Sequence, residues 1–142
     1  MKTTPFQALL LRTAVVAMAA DGDVADVEQA ELARMANSTA YFLGYDHAAA
    51  LPILLADPVN HGPTAPQALA AAVQAGALNP RQEEVLLDVL LRVVEADGVL
   101  QDAERDLLRT LRPVLQTTEA DLLARFPRLL RYLLPDAEQL HL

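Results

Sequence analysis

The chain carries one pattern of helix, bend and helix twice, and this repeat constrains its fold more than any other feature of the sequence. Residues 9–35 align with residues 85–111 without a gap. The paired positions at the bends are Ala20 and Ala96, Asp21 and Asp97, Gly22 and Gly98, Val24 and Leu100, Asp26 and Asp102, and Glu28 and Glu104. Apolar matches alone could arise by chance in a chain rich in leucine and alanine, but the acidic and glycine matches indicate an internal duplication. Two copies are too few for a solenoid, so we expect two helical hairpins packed face to face around one core.

Each copy predicts a helix that begins at a proline and ends at a glycine. Pro5 and Pro80 suit the first helical position, and Asn79 can cap the second of these helices. Apolar residues then recur at helical spacing in both copies. Gly22 and Gly98 end the helices, because a left-handed C-cap strains any residue with a side chain.

The remaining segments predict further helices and no strand. A short helix is expected within residues 46–56, a loop over 57–66, an alanine-rich helix over 67–74 and another helix beginning at Glu119 after Thr117 or Thr118. Pro127 and Pro135 bound a last apolar piece. We therefore expect an all-α fold of about seven helices in one compact domain, with no linker to divide it.

That single domain spans residues 1–142, with repeat halves at about 5–38 and 80–115. Apolar residues make up 53% of the chain, which is enough to fill a core without disulfides or an obligatory metal. The chain has no cysteine, so thiolate catalysis and cysteine-ligated zinc are excluded.

The net charge is −8, from 11 basic and 19 acidic residues. An acidic surface argues against nucleic acids and anionic membranes as partners, because both need a basic face. The first 20 residues are apolar enough to suggest a signal peptide, but Gln7 and Arg12 interrupt them and the same pattern returns downstream. We expect an unprocessed, cytoplasmic protein with no transmembrane segment.

The bends share the pattern Asp-Gly-x-hydrophobe-x-x-x-Glu with the second half of a calcium-binding EF-hand loop. If Gly22 and Gly98 take the sixth loop position, the first and third positions fall on Ala17 and Ala19 in the first copy. In the second copy these positions fall on Val93 and Glu95. The first copy therefore lacks both early oxygen ligands and the second copy lacks the one at the first position, which excludes a high-affinity EF-hand.

A helical hairpin with Ala-Asp-Gly-x-hydrophobe-x-x-x-Glu at its bend, present twice, resembles the tellurite-resistance TerB family and TerB-like domains. The resemblance spans about residues 7–115 and is carried by residues 20–28 and 96–104. It implies an all-helical acidic domain, also found at the head of a membrane-anchored DnaJ-type co-chaperone, linked to stress or toxic-oxyanion resistance. It further implies protein partners that include a membrane protein, divalent-cation binding through the acidic loops, and no catalytic activity. A homodimer and a peripheral position at the inner membrane face stay open.

The chain departs from the family at the cap of each second helix. Family members commonly place Ser or Thr four residues after the motif Asp, where this chain has Ala25 and Gln101. Asp26 and Asp102, one residue later, either take over the cap or leave their carboxylates available to a cation.

Two interpretations of the acidic residues are open. Carboxylate oxygens suit Ca²⁺ or Mg²⁺, bound weakly and with several waters retained. Alternatively, acids in the first helical turn only complement the macrodipole, each contributing about 0.3–1 kcal/mol. The candidate metal ligands are Asp21, Asp23, Asp26, Glu28, Asp97, Asp102 and Glu104. If one site alone binds, the first bend is favoured, because Val99 replaces Asp23 in the second.

Other residue patterns carry weaker signals. His47, His61 and His141 lack the spacing of zinc ligands. Two arginine rows follow helical spacing, Arg105, Arg109 and Arg112 and then Arg125, Arg128 and Arg131. They are interpreted as solvated faces paired with Asp102, Asp106 and Asp121, or as a docking surface for an acidic partner or lipid headgroup.

Three functions are therefore considered. The first is a non-enzymatic TerB-like protein whose bends bind a divalent cation and whose helical faces dock partners. The second is a plain helical interaction module whose acids only cap helices. The third is a metal-dependent hydrolase, for which no catalytic residues are visible in the sequence.

Overall fold

The computed structural model describes residues 5–20, 26–96 and 102–127. Seven α-helices lie within these ranges: α1 (Pro5–Ala19), α2 (Asp26–Ser38), α3 (His47–Ala56), α4 (Ala65–Ala75), α5 (Pro80–Val94), α6 (Asp102–Leu111) and α7 (Glu119–Arg125). Two 3-10 turns, Pro58–Asn60 and Arg112–Val114, complete the regular structure of the described ranges, which contain no strand. The predicted all-α class and helix number are confirmed.

The helix caps follow the sequence closely. Asn79 and Gln82 form a complete capping box at the start of α5, and Thr118 caps α7 by accepting a hydrogen bond from the Asp121 amide. Three boundaries differ from the prediction. Helices α1 and α5 end at Ala19 and Val94, before the glycines expected to end them, and Glu95 is the C-cap of α5. Helix α4 begins at Ala65 rather than two residues later. Pro66 has no amide hydrogen to lose at a helix start, so it fits the first turn of the helix rather than the preceding loop.

The two first helices of the hairpins, α1 and α5, pack against each other at the centre of the molecule. Helix α2 packs on α5, whereas α6 packs mainly on α4, which also contacts α1. From Leu10 to Ala19 every residue of α1 except Arg12 is buried. A helix that is apolar on all sides must be buried on all sides, which explains why this segment looks like a signal peptide in the sequence.

No helix among the described residues is both long enough and apolar enough to cross a membrane.

Burial follows the repeat in register. Leu32 and its counterpart Leu108 are both buried, and the motif glutamates Glu28 and Glu104 are buried as well. Asp26 and Asp102, two residues earlier, are exposed in both copies. The duplication in the sequence is therefore also a duplication of the inner and outer faces of the helices.

Each copy also ties its first helix to the segment that follows its second helix. In the first copy Gln7 Nε2 donates to the backbone oxygens of Tyr41 and Leu43, at 3.2 and 2.8 Å. In the second copy Glu83 Oε1 accepts from the Thr117 amide at 2.8 Å. Residues 7 and 83 are equivalent in the repeat, and so are residues 41 and 117. The first helix supplies the donor in the first copy and the acceptor in the second, but the hydrogen bonds join equivalent positions of the repeat.

Tyr41 also joins the first copy to the second, because its hydroxyl donates to Asp88 Oδ2 on α5 at 2.5 Å. Burial of the ring, and then the hydrogen bond to Asp88, raises the pKa of Tyr41 to about 12. A tyrosine in an unfolded chain has a pKa of about 10. Because the pKa is higher in the folded state, this contribution to stability is complete below about pH 10 and is lost as the pH rises towards about 12.

We expect Tyr41→Phe to reduce the loss of stability between about pH 10 and 12, since phenylalanine cannot ionise. At neutral pH the same variant should cost about 1–2 kcal/mol, because Asp88 loses one donor. Urea unfolding followed by circular dichroism at several pH values measures both effects. If the variant and the unmodified protein lose the same stability between about pH 10 and 12, Tyr41 does not titrate in this range.

Candidate cation site at the acidic bends

The two acidic bends connect α1 to α2 and α5 to α6, and residues 21–25 and 97–101 lie outside the described ranges. Three of the seven predicted ligands, Asp21, Asp23 and Asp97, are among them. The other four, Asp26, Glu28, Asp102 and Glu104, stand in the first turns of α2 and α6.

The aspartates and glutamates of these first turns differ sharply in exposure. Asp26 and Asp102 are the first residues of their helices and are exposed. Glu28 and Glu104 are only 3% and 1% exposed. The aspartates are therefore available to a cation from solvent, whereas the glutamates are enclosed by protein.

The buried glutamates occupy the third position of their helices, where the glutamate of a capping box accepts a hydrogen bond from the backbone at the helix start. Neither carboxylate lacks an interaction partner. A buried carboxylate is costly unless it is hydrogen-bonded or paired. Their burial in both copies favours a role in holding the bend in place.

Within the described ranges, no three acidic or histidine side chains come together as a metal-binding group. Asp21, Asp23 and Asp97 do not belong to those ranges, so the predicted cation site stays a prediction. The structure does describe the residues that would begin an EF-hand loop. Ala17 and Ala19 lie buried in α1 and Val93 lies buried in α5, so these helices extend through the positions where an EF-hand begins its loop.

A groove of about 660 Å³ lies between α1, the start of α4 and α6. Its wall includes Ala20, the last described residue before the first bend, and Ala103, the residue after Asp102. Small side chains at these positions keep the groove open. The ends of both acidic bends therefore border one space.

Asp106 also lines this groove and is exposed. It follows Asp102 by four residues, which places the two carboxylates on the same face of α6. The sequence interpretation assigned Asp106 only to an ion pair with the arginine row, although this spacing was visible. Arg109 lines the same wall and has an interaction partner, and its charge lowers the affinity of the groove for a cation.

One arginine of each row forms a pair other than those expected. Arg112 pairs with Glu119 at 2.9 Å, and Arg125 pairs with Glu84 at 3.1 Å. The expected partners were nearby in sequence, whereas α7 brings Arg125 to the first turns of α5. Arg128 and Arg131 lie outside the described residues.

The described histidines have structural contacts. The His47 ring lies 5.7 Å from the Phe42 ring, measured between centroids, and His61 Nε2 lies 2.5 Å from the Leu55 oxygen. His141 lies outside the described residues. These positions give no support to a shared histidine metal site.

The fold and the repeated bends define a class of small, acidic, all-helical proteins built from two hairpins. In a comparison with protein families, residues 7–125 match the family described as "Tellurite resistance protein TerB". The match covers most of the chain, which therefore belongs to the TerB family. Comparisons with curated proteins and with solved structures gave no match. The resemblance seen in the sequence is confirmed, and TerB is not a known enzyme family.

Proposed function

We propose that this TerB-family protein binds a divalent cation, Ca²⁺ or Mg²⁺, at its two acidic bends and acts without catalysis by contacting protein partners in the cytoplasm. The observation that carries the proposal is that residues next to both bends line one groove. Carboxylates from both copies can then bind a cation in the same groove.

The chain order supports this proposal. Asp21 directly follows Ala20, and Asp102 directly precedes Ala103, and both alanines line the groove. Asp106 adds a third carboxylate from the groove wall. Oxygen ligands of this kind suit hard cations, and a net charge of −8 raises the local cation concentration.

The proposal divides the acidic residues into two roles. The ligands are the aspartates, namely the exposed Asp26 and Asp102 and those within the bends. The buried Glu28 and Glu104 position the bends and do not need to contact the cation. Arg109 in the groove wall and the missing early ligands make the affinity weak, in the range of about 0.1–1 mM that is typical of weak calcium sites.

We expect Ca²⁺ or Mg²⁺ to stabilise the protein by about 1.4 kcal/mol at ten times the dissociation constant, because only the folded chain presents the site. Urea unfolding with and without cation, at constant ionic strength, measures this gain. The double variant Asp102→Asn and Asp106→Asn should lose most of it.

Asp121→Asn is the matched control, since Asp121 is an exposed aspartate on α7 that does not line the groove. This control should keep the full gain. Equal gains in both variants would show that Asp102 and Asp106 are not ligands.

A second function, a plain interaction module, is favoured by the surface around α3. No residue of this ten-residue helix is fully buried, although its sequence is almost entirely apolar. Ile53 is 71% exposed, and Leu43, just before the helix, is 79% exposed. Large exposed apolar side chains are typical of protein contact sites. A protein partner, including one anchored in a membrane, would contact this surface with or without a cation at the bends.

A further inference from the structure

Residues 35–80 form a stretch of the chain that is nearly free of charge. Charged residues make up 21% of the whole sequence, but this stretch has only two, Asp46 and Asp57. It has no lysine or arginine. Helices α3 and α4 both belong to it, and His47 is their one ionisable residue. Such a composition suits a core, yet much of the stretch is exposed.

The outward face of α3 is apolar. Its exposed side chains follow helical spacing and therefore share one face of the helix. They are Ala48, Ala49, Pro52, Ile53 and Ala56. Ile53 projects beyond these smaller residues and is 71% exposed. Leu43 before the helix and Val59 after it are exposed as well.

A second groove, of about 710 Å³, adjoins α3 and lies between the start of α1 and the end of α4. Its wall is mainly apolar and includes Phe6, Leu9 and Leu54. Because Leu54 follows Ile53 in the chain, the projecting side chain and the groove lie side by side. We call the outward face of α3 and this groove together the apolar face.

Arg12, Asp46 and Asp57 border the apolar face, and each is already hydrogen-bonded. Arg12 Nε donates to Asn60 Oδ1 at 3.0 Å. Asp46 and Asp57 cap helix starts, and each accepts from a backbone amide at 3.1 Å. An anionic membrane is attracted by clustered lysine and arginine, which residues 35–80 lack. The face therefore suits another apolar surface better than a charged one, since the cores of protein interfaces are depleted of charge.

A second copy of the chain offers such a surface. Two molecules of net charge −8 repel each other, and the repulsion is weakest where the facing surfaces carry few charges. A two-fold contact uses the same patch of both copies, so the patch must be complementary to itself. The projecting Ile53 and the adjoining groove supply that complementarity, and each is then used twice.

We propose that two copies of the chain associate about a two-fold axis through their apolar faces, with Ile53 of each copy packed against the groove of the other. This inference rests on the second function proposed above, an interaction module, and does not involve a cation. Helix α3 is about 15 Å long, so the contact is small, below about 800 Å² per copy. We expect a weak dimer with a Kd of about 0.1 mM.

Sedimentation equilibrium tests the association between about 0.01 and 1 mM protein, in about 0.15 M salt with a chelator present. The average mass should rise from that of a 15.4 kDa monomer towards twice that value. A protein that stays monomeric at about 1 mM overturns the proposal, and the apolar face is then left to a different protein.

Two variants test the surface that the dimer uses. Ile53→Asp should weaken association at least about tenfold, because it buries a charge in each half of the contact. Ala75→Arg should do the same by filling the groove, although it reduces the net negative charge and with it the repulsion. Both positions are exposed, so both variants should fold, which circular dichroism checks.

Val27→Asp is the matched control, because Val27 is an exposed valine of α2 that does not line the groove. It adds the same charge as Ile53→Asp and should change the Kd by less than about twofold. If Ile53→Asp or Ala75→Arg associates as the unmodified protein does, the proposal is wrong, because the copies then meet through another surface. None of these results bears on the cation site, which is tested by titration with the cation itself.

Discussion

Replacing Glu83 by alanine is expected to lower the free energy of unfolding by about 2–4 kcal/mol. The side chain is 1% exposed and accepts three hydrogen bonds, from the Gln116 amide at 2.6 Å, the Thr117 amide at 2.8 Å and the Thr117 hydroxyl at 2.5 Å. Hydrogen bonds to a charged group contribute about 1.5–3 kcal/mol each, although they do not add fully. Alanine would leave all three donors without their acceptor. It would also release the segment that precedes α7.

The neighbouring residue provides the matched control. Glu84 pairs with Arg81 and Arg125, both of which are well exposed, so Glu84→Gln should cost less than about 1 kcal/mol. Glu83→Gln should fall between the two, because the amide keeps the size of the side chain but can accept fewer hydrogen bonds. Urea unfolding measures all three variants. If Glu83→Ala and Glu84→Gln have equal effects, the tie between α5 and α7 does not hold the fold together.

Neutralising the two motif glutamates should destabilise the cation-free protein, by about 1–3 kcal/mol for each of Glu28→Gln and Glu104→Gln. Both carboxylates are buried at the third position of a helix, where a carboxylate accepts a backbone hydrogen bond. Carboxylates gathered as cation ligands behave in the opposite way, because they repel one another when no cation is bound. The sign of the change therefore separates a positioning role from a ligand role.

This experiment uses urea unfolding in the presence of a chelator. Asp121→Asn supplies the control, since Asp121 is an exposed acid at the third position of α7 and its neutralisation removes an interaction with the helix macrodipole. We expect this variant to lose less than about 1 kcal/mol. A gain in stability on neutralising Glu28 or Glu104 would assign these glutamates to the cation instead.

The sequence predicted the helices best where local chemistry decides the structure. Asn79 and Pro80 start α5, and Thr118 starts α7, because capping depends only on residues within one turn. The repeat was visible for the same reason, since both copies need apolar residues at the same helical positions. Its acidic bends carry the resemblance to the TerB family, to which the chain belongs.

The contacts between distant segments were not predictable in this way. The sequence paired the arginines with acids close in the chain, whereas Arg125 reaches Glu84 through the packing of α7. Burial of Glu28 and Glu104 also depends on tertiary packing, because the same residues in an isolated helix would be exposed. The repeat did carry one signal of a long-range contact. Extending the alignment by two residues pairs Gln7 with Glu83, and these two residues bind the segments that follow α2 and α6.

Amide NMR of the full chain during titration with Ca²⁺ and Mg²⁺ tests the proposed cation site most directly. We predict saturable shifts of the Gly22 and Gly98 signals at millimolar cation, and their loss in the double variant Asp21→Ala and Asp97→Ala. If neither glycine signal moves by about 10 mM cation, the acidic bends do not bind a divalent cation.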